Sequence, residues 1–420
     1  MPVDLSPDVK ELTPGMIALR RALHQSPELA FEEVLTASTL AARMRALGLR
    51  VHEGIGGTGV LAVLDGTRPG KTLLVRADMD ALPMDDATGR DYASTRPGRH
   101  HACGHDVHSA VVAGVAELLS RHRDRITGRI AFVFQPADEP MRGAKAMIED
   151  GVLTRVTPDM FLSLHVVPML KVGHAVIQSG PIWASWDTQS LTIKGPTPTF
   201  DLCRVAAQLT TALYDLVDKE AQQSTEEVAF RIRSLKAEQR AAGDPSQAAI
   251  EVHLGRGEPS EATIEINLAL YDNTLRTKLL DAIAGTARTI TETARGTPAC
   301  NVDYAVPAVI NDPRVTGAVE RAAQQIIGPA NIIKGWRNRF ADDVALFMAA
   351  VPGCLMLLGT GNAAKGITEI WHRPAFDVDE DALPIGVHIL SLAALELLHT
   401  SPPLGSRLVV SRARRSGSRS

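Results

Sequence analysis

The sequence predicts an α/β protein whose larger domain is interrupted by a smaller α+β domain of the ferredoxin-like type. Apolar runs of strand length alternate with helical patterns over the first 180 or so residues and again near the C-terminus, which indicates a central sheet flanked by helices. Between these regions, strand patterns with alternating polarity lie between two amphipathic helices. At 420 residues the chain exceeds the usual size of one hydrophobic core, so two domains are expected.

The larger domain begins with two helices between residues 13 and 47, divided near Pro27 and ended by Gly48. Short buried strands are predicted at Gly59–Leu64, Thr72–Val75, Gly128–Phe134, Phe161–Leu164 and Leu355–Leu358. Further helices are predicted at Ser109–Arg121, Gly143–Glu149, Pro313–Ile327, Asp342–Ala350 and Asp381–His399.

The pattern changes near residue 185. Strands are predicted at Trp186–Lys194, Thr225–Leu235, Ala248–Arg256, Ala262–Tyr271 and Ala299–Ala305, with helices at Asp201–Asp218 and Asn273–Ala294. We therefore assign residues 1–184 and 307–400 to the larger domain and residues 185–306 to the insert. Residues 401–420 hold five arginines and no acidic residue, and we expect a disordered basic tail.

Three strands of the larger domain end in ionisable side chains. Asp78 and Asp80 follow the second strand, Asp138 and Glu139 follow the third, and His165 follows the fourth. In open α/β sheets, ligands bind at the carboxyl ends of the strands. These five side chains are therefore expected to meet at one edge of the sheet.

Residues 98–109 contain four of the thirteen histidines and one of the four cysteines. Cys103, His105 and Asp106 offer the thiolate, imidazole and carboxylate groups that bind transition metals. A polar surface loop would show the same composition. On its own this stretch leaves both interpretations open, a metal site and a surface loop.

Composition argues against several kinds of partner. A net charge of −4 gives no reason to expect nucleic acid as a partner. The sequence is also expected to lack a run of about 18 apolar residues, the length that spans a membrane. The four cysteines are too scattered for a disulfide framework, and the N-terminus lacks the pattern of a secretory signal. A cytoplasmic protein is expected.

Five motifs match one family in order and spacing: Arg76–Pro83, His101–Asp106, Phe134–Glu139, Leu164–His165, and His372 with Phe376–Asp377. The chain resembles the M20 metallopeptidase family, and within it the amidohydrolase branch of hippurate, N-acyl-amino-acid and auxin-conjugate hydrolases. The segment Arg21–Glu28 also fits that branch. The resemblance implies a small-molecule amide substrate and an insert that acts as a lid and forms a homodimer.

The resemblance also implies two divalent metal ions. By motif position the ligands would be Cys103, His105, Glu139, His165 and His372. Their donor atoms favour zinc or manganese, with cobalt or nickel as alternatives.

Other polar residues of the motifs are expected to support the ligands without binding metal. These are Asp78, Asp80, His101 and Asp106. Four further histidines are expected to have supporting or structural roles, namely His24, His100, His108 and His174.

Asp138 occupies the position at which the family carries a glutamate that acts as general base. An aspartate places its carboxylate about 1.5 Å closer to the backbone. A misplacement of about 1 Å can lower a rate about a hundredfold, so either the backbone compensates or catalysis is impaired. We expect Asp138 to be the general base.

The insert departs from the family pattern. Thr199 stands about where relatives carry a substrate-holding histidine, and Arg256 is the only basic residue in the segments where relatives hold the substrate carboxylate. We therefore expect an amidohydrolase with an atypical substrate, such as one without a free carboxylate. A standard N-acyl amino acid held by other residues is a second hypothesis. An attenuated or inactive member acting as a binding or assembly protein, or one with purely structural metals, is the alternative.

Overall fold

The computed structural model describes residues 4–194, 202–222, 229–234 and 261–399. Within these ranges the helices are α1 (Ser6–Gln25), α2 (Val34–Ala46), α3 (His105–Arg121), α4 (Gly143–Glu149), α5 (Val152–Val156), α6 (Leu202–Gln222), α7 (Asn273–Thr293), α8 (Pro313–Ile326), α9 (Val344–Ala350) and α10 (Ala382–His399). The strands are β1 (Arg50–Ile55), β2 (Gly59–Asp65), β3 (Arg68–Asp78), β4 (Thr127–Gln135), β5 (Met160–Lys171), β6 (Ala175–Val176), β7 (Gly180–Trp183), β8 (Trp186–Lys194), β9 (Ala229–Ser234), β10 (Glu261–Ala269), β11 (Thr297–Val306), β12 (Val309–Asn311), β13 (Ile332–Ile333) and β14 (Gly353–Gly361).

The larger domain is built on a sheet with the order β1-β2-β4-β3-β5-β14-β6-β13. Its centre is parallel, because β3 pairs in parallel with β4 and β5, and β14 with β5. These strands are buried along most of their length, as expected for strands that are covered on both faces. The predicted central sheet is confirmed, and it brings the ends of β4, β3 and β5 side by side.

Helices cover both faces of this sheet. On one face α1, α3 and α10 share a core that includes Met16, Val112 and Leu390, and on the other α4 and α9 pack through Met147 and Phe347. Gly114 permits the close contact of α1, α3 and α10. A β-carbon there would lie 2.6 Å from Met16 Sδ and 2.8 Å from a methyl carbon of Val387.

The insert contains a separate antiparallel sheet with the order β11-β8-β10-β9. Helices α6 and α7 pack against it through a core that includes Leu209, Ile266 and Ile283. This is the predicted α+β unit, although the boundaries at 184 and 306 stay predictions. The strand predicted at 248–256, Thr199, Arg256 and the tail 401–420 lie outside the described residues.

Several predicted boundaries were wrong. Helix α1 begins at Ser6, because Pro7 is compatible with a first helical turn, and Pro14 lies inside the helix without ending it. Strand β1 was missed because it is an edge strand with mostly exposed side chains and no clear alternation. Helix α3 begins at His105, within the histidine-rich stretch and four residues before the predicted start.

Helix α10 corrects the expectation that no segment is long and apolar enough to span a membrane. Its 18 residues have a mean hydropathy of 1.6, which meets that criterion by length and composition. However, 72% of this window is buried in the fold, where Val387 and Leu390 pack in the core of the larger domain. Its apolar character is that of a core helix.

Candidate metal centre

The five predicted ligands come together at the carboxyl end of the central sheet. Cys103 Sγ lies 3.6 Å from His165 Nε2, and Glu139 Oε2 lies 3.4 Å from His372 Nε2. His105 Nε2 lies 3.9 Å from Glu139 Oε1. The donor atoms fall into two groups, Cys103 with His105 and His165, and Cys103 with Glu139 and His372, each within 4.8 Å of one another. Cys103 is common to both groups, so the arrangement offers two adjacent cation positions.

The donor atoms have the properties of metal ligands. His105 Nε2 and Glu139 Oε1 are buried and have no hydrogen-bond partner in the part of the chain that the structure describes. Burial raises the pKa of Glu139 to about 8 and raises the pKa of the Cys103 thiol well above its usual value. Bound cations would compensate both anions, so thiolate, imidazole and carboxylate fit a pair of divalent ions.

Hydrogen bonds orient two of the histidine ligands. His105 Nδ1 donates to the backbone oxygen of Asp80 at 2.8 Å, and His165 Nδ1 donates to the backbone oxygen of Val166 at 2.8 Å. In both rings Nδ1 therefore carries the proton, which leaves Nε2 free to bind a metal. The backbone of His372, with φ of 58°, donates to the oxygen of Ala102 at 2.9 Å and holds this loop beside Cys103.

Asp78 and Asp80 make hydrogen bonds to the loops that carry the candidate ligands, and their role in metal binding stays a prediction. Asp80 accepts hydrogen bonds from the backbone N–H groups of Asp138 and Glu139, both at 3.0 Å, and so fixes the loop after β4. Asp78 Oδ1 accepts from His108 Nδ1 at 2.7 Å. His108 Nε2 in turn accepts from the backbone N–H of Val166 at 2.9 Å.

Asp106 and His101 lie on the side of the site that faces α1. Asp106 Oδ2 accepts from Arg20 Nε at 2.8 Å and from His24 Nδ1 at 2.7 Å. His101 is buried, and burial lowers its pKa to about 3. Both residues belong to the wall that supports α3 and the Cys103 loop, and their effect on metal binding stays a prediction.

A buried arginine that sequence reasoning did not single out holds Asp138. The guanidinium of Arg76 contacts Asp138 Oδ1 through Nη2, and it contacts Asp78 through Nη1 at 2.8 Å. Because Arg76 is fully buried, these contacts are strong ion pairs. Burial is the largest single influence on Asp138 and opposes its charge, but Arg76, His105 and a hydrogen bond with Asp343 together lower the pKa of Asp138 below its usual value. The carboxylate of Asp138 is therefore charged.

Asp342 and Asp343 complete this cluster, although the sequence pattern indicated Asp342 only as the start of a helix. Arg76 Nη2 lies 3.4 Å from Asp342 Oδ1 and 3.2 Å from Asp343 Oδ1, and α9 begins after both residues. Burial and the neighbouring charge of Asp138 raise the pKa of both carboxyl groups well above the usual value. The guanidinium of Arg76 thus forms ion pairs with four acidic side chains.

A cavity of about 240 Å³ opens onto the ligands. Its lining combines Cys103, Glu139, His165, His372, Asp138 and Asp342 with Met141, Trp183, Phe340, Ala341, Ile370 and Trp371. Phe340 meets Trp371 edge-on at 5.0 Å between ring centroids and meets Trp183 at 6.5 Å. Among the described residues that line the cavity there is no lysine or arginine.

A family model described as peptidase family M20/M25/M40 matches residues 74–396. The chain belongs to this family. The match includes all five candidate ligands and Asp138, and it confirms the resemblance drawn from the motifs.

Two relatives and one solved structure place this M20 chain among metal-dependent hydrolases. It is 31% identical to a thermostable carboxypeptidase 2 from Saccharolobus solfataricus, covering 93% of this chain and 98% of that enzyme. It is 31% identical to an N-acetyl-L-cysteine deacetylase from Bacillus subtilis, covering 95% and 91%. A Bacillus subtilis protein described as a dinuclear metal binding peptidase of the M20 family superposes with a TM-score of 0.75 at 28% identity, covering 93% and 99%. The chain is therefore a hydrolase of the M20 family.

Proposed function

We propose that this M20 chain hydrolyses the amide bond of an N-acyl amino acid or related small amide that carries a bulky apolar group. The observation that carries this proposal is the cavity, in which a charged carboxylate, four of the five metal-type ligands and an aromatic wall face the same space, with His105 directly behind them. We infer that zinc or manganese binds there, with cobalt or nickel as alternatives, and that the enzyme is a cytoplasmic homodimer formed through the insert.

Cys103, His105, Glu139, His165 and His372 would hold the ions. Bound divalent ions would polarise the amide carbonyl and acidify a water molecule. Asp138 takes a proton from the attacking water as the new carbon–oxygen bond forms. It then gives the proton to the amine nitrogen as the carbon–nitrogen bond breaks, so that an acid and an amine are released.

The shorter side chain of Asp138 is compatible with this role. Asp138 lies between two residues with left-handed backbone, Ala137 at φ 50° and Met141 at φ 55°, and this loop geometry brings Asp138 to the cavity. Arg76 holds Oδ1, and Oδ2 lies 3.8 Å from His105 Nε2 on the ligand side. These contacts support compensation by the backbone and argue against the inactive alternative.

The aromatic wall favours a large apolar substituent next to the scissile bond. Trp183, Phe340 and Trp371 surround the ligands, and edge-on contacts with a planar ring are favourable. A substrate carboxylate would find no cation among the described lining residues. This supports the hypothesis of a substrate without a required free carboxylate.

Phe340→Ala is expected to lower kcat/KM for N-benzoyl amides at least about tenfold, with a smaller effect on matched N-acetyl amides, because it removes apolar contact area from the cavity wall. The measurement compares metal-loaded protein on acyl pairs that share one amine, including amines without a carboxylate. Phe31→Ala is the matched control, since Phe31 is 42% exposed and Phe340 43%.

Two outcomes would count against the proposal at different levels. Equal effects of Phe340→Ala on both acyl groups would contradict the assigned specificity. If protein with verified metal content hydrolyses no acyl or peptide substrate, the hydrolase function is contradicted. The alternative of an inactive binding or assembly protein would then be favoured.

A further inference from the structure

A second group of metal-type ligands lies away from the dinuclear site. It consists of His24 from α1, Asp86 from the loop after β3, and His100 from the segment that leads to Cys103. Their candidate donor atoms lie within 4.8 Å of one another. The side chains of both histidines are fully buried, and that of Asp86 is 2% exposed.

The spacing of the donor atoms suits a small tetrahedral cation. His24 Nε2 lies 3.2 Å from Asp86 Oδ2, and His100 Nδ1 lies 3.5 Å from the same oxygen. Ligand bonds of about 2.0–2.1 Å to a tetrahedral zinc ion place neighbouring donor atoms about 3.3–3.4 Å apart. The two distances to Asp86 Oδ2, 3.2 Å and 3.5 Å, lie on either side of this value.

Two of the three side chains are already oriented as ligands. His24 Nδ1 lies 2.7 Å from Asp106 Oδ2, and Arg20 Nε donates to that same oxygen at 2.8 Å. A histidine ligand commonly donates its second ring N–H to a carboxylate in this way. Asp86 Oδ2 accepts the backbone N–H of Ser94 at 2.8 Å, which fixes the carboxylate.

His100 distinguishes the interpretation as a metal site from the interpretation as a simple network of ion pairs. A proton on His24 would satisfy the carboxylates of Asp86 and Asp106 without a metal. It would leave His100 without a well-formed hydrogen bond, because both of its ring nitrogens are buried and its contacts with Asp86 Oδ2, at 3.5 Å from Nδ1, and with the backbone of Phe376 fall short of hydrogen-bond geometry within the described chain. Such groups are rare in proteins, and they call for a bound ion or an ordered water.

We propose that His24, Asp86 and His100 bind a third divalent ion, with zinc as the best match to two imidazoles and one carboxylate. A water molecule would take the remaining position. The ion would tie helix α1 and the loop after β3 to the segment that carries Cys103. This site is independent of the proposed reaction, since none of its three ligands lines the catalytic cavity.

The test compares the zinc content of wild type, His100→Met and His52→Met after identical loading with zinc and removal of excess metal. His100→Met removes one ligand at similar volume, and His52 is an exposed histidine on β1 that serves as the matched control. We expect wild type and His52→Met to retain three equivalents of zinc and His100→Met to retain two.

Two further measurements keep the outcome independent of folding and of the catalytic centre. Cobalt-loaded His100→Met is expected to keep the thiolate-to-cobalt absorption band that reports Cys103. Crystals of zinc-loaded wild type are expected to show an anomalous-scattering peak between His24, Asp86 and His100. A zinc content that is the same in all three proteins, or a water molecule without anomalous signal at this position, would overturn the proposal.

Discussion

Asp138→Asn is expected to lower kcat about 100- to 10,000-fold, the usual contribution of a positioned general base. Asparagine keeps the size of the side chain but cannot take a proton from water. KM and the metal content are expected to change little, because Asp138 is not among the five proposed ligands. The measurement is steady-state hydrolysis of the best N-acyl substrate, with metal analysis of the same samples.

The controls separate the charge of Asp138 from its place in the fold. Asp124→Asn changes an exposed carboxylate outside the site and is expected to have no effect. Asp138→Glu keeps a carboxylate and is expected to retain more activity than Asp138→Asn. If Asp138→Asn hydrolyses the substrate at the wild-type rate with its metals bound, Asp138 is not the base.

Arg76→Met is expected to lower the free energy of unfolding of the larger domain by about 3–5 kcal/mol, because loss of one partner leaves buried charges uncompensated. Arg76 is the shared cation of Asp78, Asp138, Asp342 and Asp343, and it is fully buried. The same change is expected to impair catalysis, since it releases Asp138 Oδ1. The measurement is urea unfolding followed by tryptophan fluorescence.

Arg129→Met is the matched control for this prediction. Arg129 lies on the neighbouring strand β4 with an exposed side chain, so its replacement removes an arginine from the same sheet without burying a charge. Equal stability of the two variants would show that the acidic cluster does not depend on Arg76.

The meeting of several candidate ligands at one edge of the sheet could be predicted from the sequence, whereas the ligand set itself was implied by the family resemblance and stays a prediction. Cys103 and His105 share one motif, and Asp138, Glu139 and His165 each follow an apolar strand. Carboxyl ends of adjacent parallel strands meet at one edge, and β4, β3 and β5 are adjacent in the sheet. The predicted strands were therefore enough to bring Asp138, Glu139 and His165 together, whereas Cys103 and His105 were placed beside them by the family motif.

The partners of Asp138 could not be predicted, because they depend on contacts between distant parts of the chain. Asp342 and Asp343 lie more than 200 residues after Asp138 and belong to none of the five family motifs. In a sequence, an arginine on a strand indicates a residue at the edge of the sheet more readily than a buried cation that pairs with four carboxylates. Only the contacts of the segment before α9 with Arg76 on β3 and Gln135 on β4 show the cluster.

The aromatic wall and the third metal site were missed for the same physical reason. Trp183, Phe340 and Trp371 come from three separate segments, and none has a pattern that differs from an ordinary core aromatic. His24 and His100 were assigned supporting or structural roles, because a lone histidine on a helix or in a loop gives no sign of its neighbours. Asp86 Oδ2 joins the two in space.

The central claim is that a divalent metal centre in this cavity drives amide hydrolysis. It is tested most directly by recording turnover of the best N-acyl substrate after chelation, and again after divalent ions are returned. We expect no turnover by metal-free protein, recovery on reconstitution, and no recovery in Cys103→Ala. Undiminished hydrolysis by protein verified to be free of metal would contradict the account.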